Sequence, residues 1–155
     1  MNAFETDQLA QWIRQKHRCL VQLHELGGRQ LRLIDEGNMT DLLMVLSAKQ
    51  QLITELDRIE RKLDPFRPQK PDERRWRCEE DRARCARQIE QCESLFAEIV
   101  AQEKRGEQLL RRRRDEVSAR LDTAQTAGHA HHAYTASDAP RANQLDLSSE
   151  SGSSK

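Results

Sequence analysis

Aromatic residues are scarce in this chain of 155 residues, at 4% of the total. Charged residues make up 34% and hydrophobic ones 36%, a balance that builds long solvated helices more readily than a thick core. Long apolar runs are missing too. The longest, residues 42–46, falls far short of the roughly 20 residues of a membrane span, so no membrane insertion is expected. The first residues, Met1-Asn2-Ala3-Phe4-Glu5-Thr6-Asp7, have neither the basic nor the apolar region of a signal peptide, and a cytoplasmic location is the expectation. Neither sign of charge is in excess: Lys plus Arg (26) equals Asp plus Glu (26), so no net field draws in nucleic acid or an acidic membrane. There is no Gly-rich phosphate loop, no H-E-x-x-H, no G-x-S-x-G and no strand pattern to hold one. An enzyme is therefore not expected, nor a cofactor.

Proline and glycine are few, and their positions punctuate the chain. After Pro71 the next Pro is Pro140, and Gly106 is the only Gly between Pro71 and Gly128. This interval holds the most regular pattern of the sequence. Cys85, Ile89, Cys92, Phe96 and Ile99, then Gly106, Leu110, Val117 and Leu121, recur in the steps that one helix stripe requires. Roughly 50 helical residues would run to about 75 Å, too long for a small core to cover.

Three helices follow from the order of signals. Helix A spans about residues 4–36, with Leu9, Trp12/Ile13, Lys16, Leu20, Leu23, Gly27, Leu31 and Ile34 on one stripe. Gly27-Gly28 lies inside it and marks either a bend, a close approach of another helix or a tolerated irregularity. Gly37 suits the left-handed position after a helix, and Asn38 or Thr40 can cap the next one. Helix B spans about 40–63, with Leu42/Leu43, Leu46, Gln50, Ile53, Leu56, Ile59/Glu60 and Leu63 as its stripe and Lys49 among its polar faces. Three Pro in residues 64–71 break the pattern, and helix C runs from about 72 to 124, with Gly128 as its stop. The expected fold is all-α: an elongated antiparallel three-helix bundle or coiled coil with a long C-terminal helix. One helical domain is placed over 1–128, and a polar, disordered tail over 129–155.

Cys78, Cys85 and Cys92 are seven apart, about 10 Å of helical rise per step, so neighbouring members cannot form a disulfide. The spacing does not resemble a zinc site, and small buried hydrophobes on a heptad stripe are the expectation, with redox or metal chemistry the other reading. Arg111-Arg112-Arg113-Arg114 spans a full helical turn and cannot form one flat patch; Asp115 and Glu116 follow at once. A solvated face is expected there rather than a nucleic-acid contact. His129, His131 and His132 lack a carboxylate or Cys to complete a metal site. The strongest candidate site is the later half of helix C, with Ile99, Val100, Leu109, Leu110, Val117 and Leu121. If helices A and B cover only its first half, to about Ile99, the rest presents the i, i+3/4, i+7 anchors of helix-on-helix recognition.

Over about residues 20–134 the chain resembles the FlgN-type flagellar type III export chaperones. The resemblance rests on the leucine pairs of residues 42–56 around a Lys, and on Leu95, Ile99, Leu109-Leu110, Val117 and Leu121, followed after a gap by Tyr134. The order of parts matches as well: helix hairpin, proline-rich break, long amphipathic helix, Tyr, polar tail. FliT-type relatives share this plan. The resemblance implies a cytosolic, non-enzymatic chaperone that holds hook-associated subunits of the hook–filament junction and delivers them to the membrane export gate. It implies that Leu109, Leu110, Val117 and Leu121 face the substrate's terminal helical segment, and that Tyr134 docks on the gate's cytosolic domain. The alternative reading is a structural coiled-coil adaptor or self-associating bundle, in which helix C pairs with itself in a homodimer.

Overall fold

The computed structural model describes the backbone of residues 2–149 and the side chains of residues 2–136. Three helices make the fold: α1 (Ala3–Glu36), α2 (Met39–Leu63) and α3 (Glu79–Ser149). No strand occurs among the described residues, and the protein is all-α. It divides into two compact units, Met1–Leu110 and Arg111–Lys155.

The helix ends follow local chemistry. Asn2 caps α1 in a capping box: its side chain accepts from the Glu5 N–H at 3.0 Å, and the Glu5 carboxylate accepts from the Asn2 N–H at 3.0 Å. Gly37, at φ 72, ends α1 in the left-handed conformation that a Cβ disfavours. The Gly37 and Asn38 N–H groups donate back to the Ile34 and Leu33 carbonyls, which satisfies two of the helix's open acceptors. The Asn38 side chain then accepts from the Asp41 N–H at 3.1 Å and starts α2.

In the first unit, side-chain pairings set the helix directions. Lys16 meets Glu60 and Gln30 meets Lys49, so α1 and α2 run antiparallel. Asp7 meets Arg77 and His24 meets Glu98, so α3 runs alongside α1 in the same sense. The inward positions repeat in steps of three and four or their sums, seven and ten: Leu9, Ile13, Leu20, Leu23, Gly27, Gln30 and Ile34 on α1, and Leu42, Val45, Lys49, Ile59 and Leu63 on α2. This is the heptad spacing of left-handed helix packing.

The core falls into two apolar clusters. The larger holds Leu9, Ile13, Cys19, Leu20, Leu23, Ile59, Leu63, Cys85 and Cys92; the smaller holds Leu33, Ile34, Leu42 and Val45. Between them lies a polar layer. Lys49, only 5% exposed, donates to the Gln30 side-chain oxygen at 2.6 Å and pairs with Glu103. Sequence patterning put Lys49 on an outer face and Gln50 inside, and the structure reverses both.

Helix α3 begins at Glu79, later than the expected residue 72. Pro71–Glu73 forms only a 3-10 turn, and the chain from Arg74 is extended. The Thr6 hydroxyl donates to the Arg75 carbonyl at 2.7 Å, and Trp76 packs on the larger cluster, so tertiary contacts hold this stretch out of the helix. The acidic first turn is Glu79, Glu80 and Asp81, favourable to the helix dipole. Nor does α3 stop near residue 124 or at Gly128; its backbone continues to Ser149. A single Gly costs a helix only about 1 kcal/mol, too little to end it without a competing cap. Of the polar tail expected over 129–155, residues 150–155 lie outside the described residues, and the side chains of 129–136 are all exposed and build no core.

Candidate functional site

Adjacent apolar residues on α2 include Leu42-Leu43, Val45-Leu46 and Leu52-Ile53. Neighbours on a helix point about 100° apart, so only one of each pair can face the core. Leu42, Val45 and Leu52 turn inward, which leaves Leu43, Leu46 and Ile53 exposed. With Met39 they form a second, outward stripe at i, i+4, i+7 and i+14. The pattern read from sequence had mixed the two stripes. The doublets were the available signal.

On α3 a parallel division appears. Leu95, Ile99 and Leu109 pack partly buried against the two clusters, while Phe96, Val100 and Leu110 are exposed. Two of the expected partner-facing residues, Ile99 and Leu109, therefore belong to the bundle's own packing. The cover supplied by α1 and α2 reaches Leu109, where sequence reasoning ended it near Ile99. The smaller cluster accounts for the difference: Leu33 and Ile34 from the end of α1, with Leu42 and Val45 from the start of α2, hold Leu109.

The Lys49–Glu103 ion pair fixes how α2 and α3 face each other. Leu46 and Ile53 stand one turn to either side of Lys49; Val100 stands one turn before Glu103, Phe96 and Leu110 two turns away. Antiparallel running then brings Ile53 level with Val100 along the helix axis, and Leu43 level with Leu110. Next to this row a groove of about 380 Å³ opens between the two helices. Ile13, Lys16 and Leu20 of α1 form its floor, Leu56 and Glu60 one wall, and Ile89, Cys92 and Phe96 the other. The Lys16 amine spans the floor to the Glu60 carboxylate at 2.7 Å.

In the second unit no described side chain is buried. Val117 is 52% exposed, Leu121 58% and Tyr134 70%. The Arg111–Arg114 run is exposed apart from half-buried Arg113.

The cysteines are all free thiols. Cys19, Cys85 and Cys92 are buried packing residues, as the heptad spacing suggested for the last two, but Cys78 precedes α3 and is exposed. Burial pushes the Cys19 thiol up, with Glu55 adding to it, and the Cys19 Sγ lies 3.2 Å from the Leu52 carbonyl. Burial also raises Cys85, against the opposing pull of Arg74 and Arg14, and raises Cys92 to about 11. Such thiols stay protonated and unreactive at neutral pH. Among the described residues no cluster of three or more His, Cys, Asp or Glu is arranged to hold a metal ion, and no helix is long and apolar enough to cross a membrane.

The geometry is thus that of a helical surface with apolar residues turned outward, suited to packing against another helix. Comparison with protein-family models, curated proteins and solved structures gave no match to this chain.

Proposed function

We propose that this protein is a cytoplasmic export chaperone of the FlgN type, which holds hook-associated flagellar subunits through α3 and hands them to the type III export gate. The observation that carries the reading is the set of exposed apolar residues on α3: Val100 and Leu110 in the first unit, Val117 and Leu121 in the second. A helix in a chain that is 34% charged gains nothing by holding such residues in water. A partner helix with a matching stripe would bury them at about 25 cal/mol per Å² before ordering costs. Tyr134, exposed in the second unit, is the residue proposed to dock on the gate's cytosolic domain.

The test is binding of a purified hook-associated subunit by isothermal titration calorimetry. Leu110→Asp combined with Val117→Asp should abolish the complex while the circular dichroism stays helical. Normal binding by that variant would overturn the assignment of the surface. The alternative reading, a self-associating coiled-coil adaptor, draws on the same exposed stripe. Light scattering separates the two: a stable dimer that no subunit dissociates would favour the adaptor.

A further inference from the structure

The outer face of α1 is basic. Its exposed positions from Gln8 to Arg32 are four Arg, three Gln and one Glu: Arg14, Arg18, Arg29 and Arg32 against Glu25, in a chain with equal numbers of bases and acids. These positions follow one another in steps of three and four, so they form a single stripe, and Arg14 to Arg32 covers about 27 Å. None of the four Arg, nor Glu25, makes an ion pair among the described residues. Arg14 and Arg18 stand one turn apart, as do Arg29 and Arg32, and like charges at that spacing repel and weaken a helix. Packing does not call for them, since all four are exposed. Beside the stripe a groove of about 410 Å³ opens between α1 and α2. Arg14 and Arg18 line its α1 side with Gln11, Gln15 and Gln22. Its one acid, Glu55 of α2, already accepts from Arg58 at 2.6 and 3.1 Å. Below them the floor is closed, with Cys19 4% exposed and Ile59 1%.

We infer that this face of α1, with the groove beside it, docks an acidic helix of a partner protein whose carboxylates stand one turn apart. The inference is independent of the chaperone reading and shares no residue with the exposed stripe of α3. Charge selects that occupant. Two free guanidinium groups one turn apart match two carboxylates one turn apart, and Arg holds a carboxylate in a two-bond fork. The Gln11, Gln15 and Gln22 amides both donate and accept, so they can satisfy the polar flanks of such a helix. An apolar helix gains little here, because Cys19 and Ile59 are already buried. A basic helix would meet four like charges. Nucleic acid draws on many neutralised phosphates, and the chain as a whole has no excess of bases to supply them.

Two designed alanine-rich helical peptides of about 18 residues test this on the full chain, one with Glu pairs spaced i, i+4 and the other with Lys in their places. In fluorescence anisotropy at low salt the Glu peptide should bind and the Lys peptide should not, and raising the salt to about 0.5 M should weaken the Glu peptide by about tenfold or more. Arg14→Gln combined with Arg18→Gln should weaken it by about tenfold or more, since two charge-assisted contacts are lost. Both residues are exposed and outside any ion pair among the described residues, so the thermal melt of that variant should be unchanged. Arg14→Glu combined with Arg18→Glu should move the preference towards the Lys peptide, a gain that only a folded chain can show. Lys104→Gln combined with Arg105→Gln removes the same charge from exposed positions of α3 and should leave binding within about twofold. Equal binding of the two peptides, no effect of the α1 substitutions, or an equal effect of the α3 ones would overturn the inference. So would single-stranded DNA of about 20 nucleotides that binds as tightly as the Glu peptide and competes with it.

Discussion

The Gln102 side chain of α3 lies directly on the Cα of Gly27 in α1. A Cβ built at Gly27 would stand 2.1 Å from the Gln102 side-chain oxygen, while the Gln102 amide donates to the His24 carbonyl at 3.1 Å. The close approach resolves the three readings of Gly27-Gly28: a side chain at 27 would have to displace the end of the Gln102 side chain. Gly28 differs, since its nearest neighbour would be the Gln102 amide nitrogen at 4.0 Å. The two adjacent glycines should therefore respond oppositely to alanine. Gly28→Ala should stabilise by up to about 1 kcal/mol through helix propensity alone. Gly27→Ala gains the same propensity but must evict a buried amide and lose its hydrogen bond, for a net loss of about 1 kcal/mol. Urea titrations of the two variants check this. The same sign at both positions would show that Gln102 can swing away freely.

The sequence showed what local chemistry controls and missed what packing decides. Gly37-Asn38, the proline break and the three helical periods were legible because backbone conformation and capping depend on nearby residues. The choice within Leu42-Leu43 or Leu52-Ile53 was not, because both members satisfy a helical period and only the register against α1 selects one. The start of α3 was missed for a related reason. The Arg75 carbonyl is bound by Thr6, 69 residues away in sequence, and no local pattern encodes that. Of the candidate site, Val100, Leu110, Val117 and Leu121 were read as outward, but the facing residues on α2 were assigned to the core.

Lys49 sits at an inward heptad position, where a polar residue fixes register at some loss of stability. Lys49→Met strands the buried Gln30 oxygen and should cost about 1–3 kcal/mol. Adding Gln30→Leu removes the stranded group as well, and the double variant should match or exceed the parent, as buried polar sets replaced whole often do. The expected loss is in specificity. Light scattering should then detect additional oligomeric species absent from the parent. A double variant as destabilised as the single one would show that the layer's hydrogen bonds contribute net stability.

Thiol chemistry should separate Cys78 from the other three. At pH 8 one equivalent should react quickly with a disulfide reagent, and Cys78→Ser should remove that phase. The raised Cys92 value also implies a pH dependence of stability. The folded state holds the proton more tightly than the unfolded state, whose thiol titrates near its ordinary value. The contribution is complete below that ordinary value and is lost as pH rises towards about 11. Cys92 is 3% exposed, so the linked loss can reach about 2–3 kcal/mol. Melting temperature should fall between about pH 9 and 11 in the parent, and by less in Cys92→Ala measured against its own neutral value.

Along α3, neighbouring leucines should divide stability from recognition. Leu109 packs on the smaller cluster with Ile34, which is 0% exposed, whereas its neighbour Leu110 is among the exposed residues. Leu109→Ala should cost about 2 kcal/mol, towards the low end for a core truncation because the site is only partly enclosed. Ile34→Ala, fully enclosed, should cost about 3–4 kcal/mol. Leu110→Ala and Val117→Ala should each change stability by less than about 0.5 kcal/mol, as surface substitutions do. Denaturation of the four variants, set beside their binding of a hook-associated subunit, gives two independent orderings. Leu109 and Ile34 should lead the first. Leu110 and Val117 should lead the second, and a Leu110 variant as unstable as the Leu109 one would place both residues inside the bundle and leave α3 without its outward anchor there.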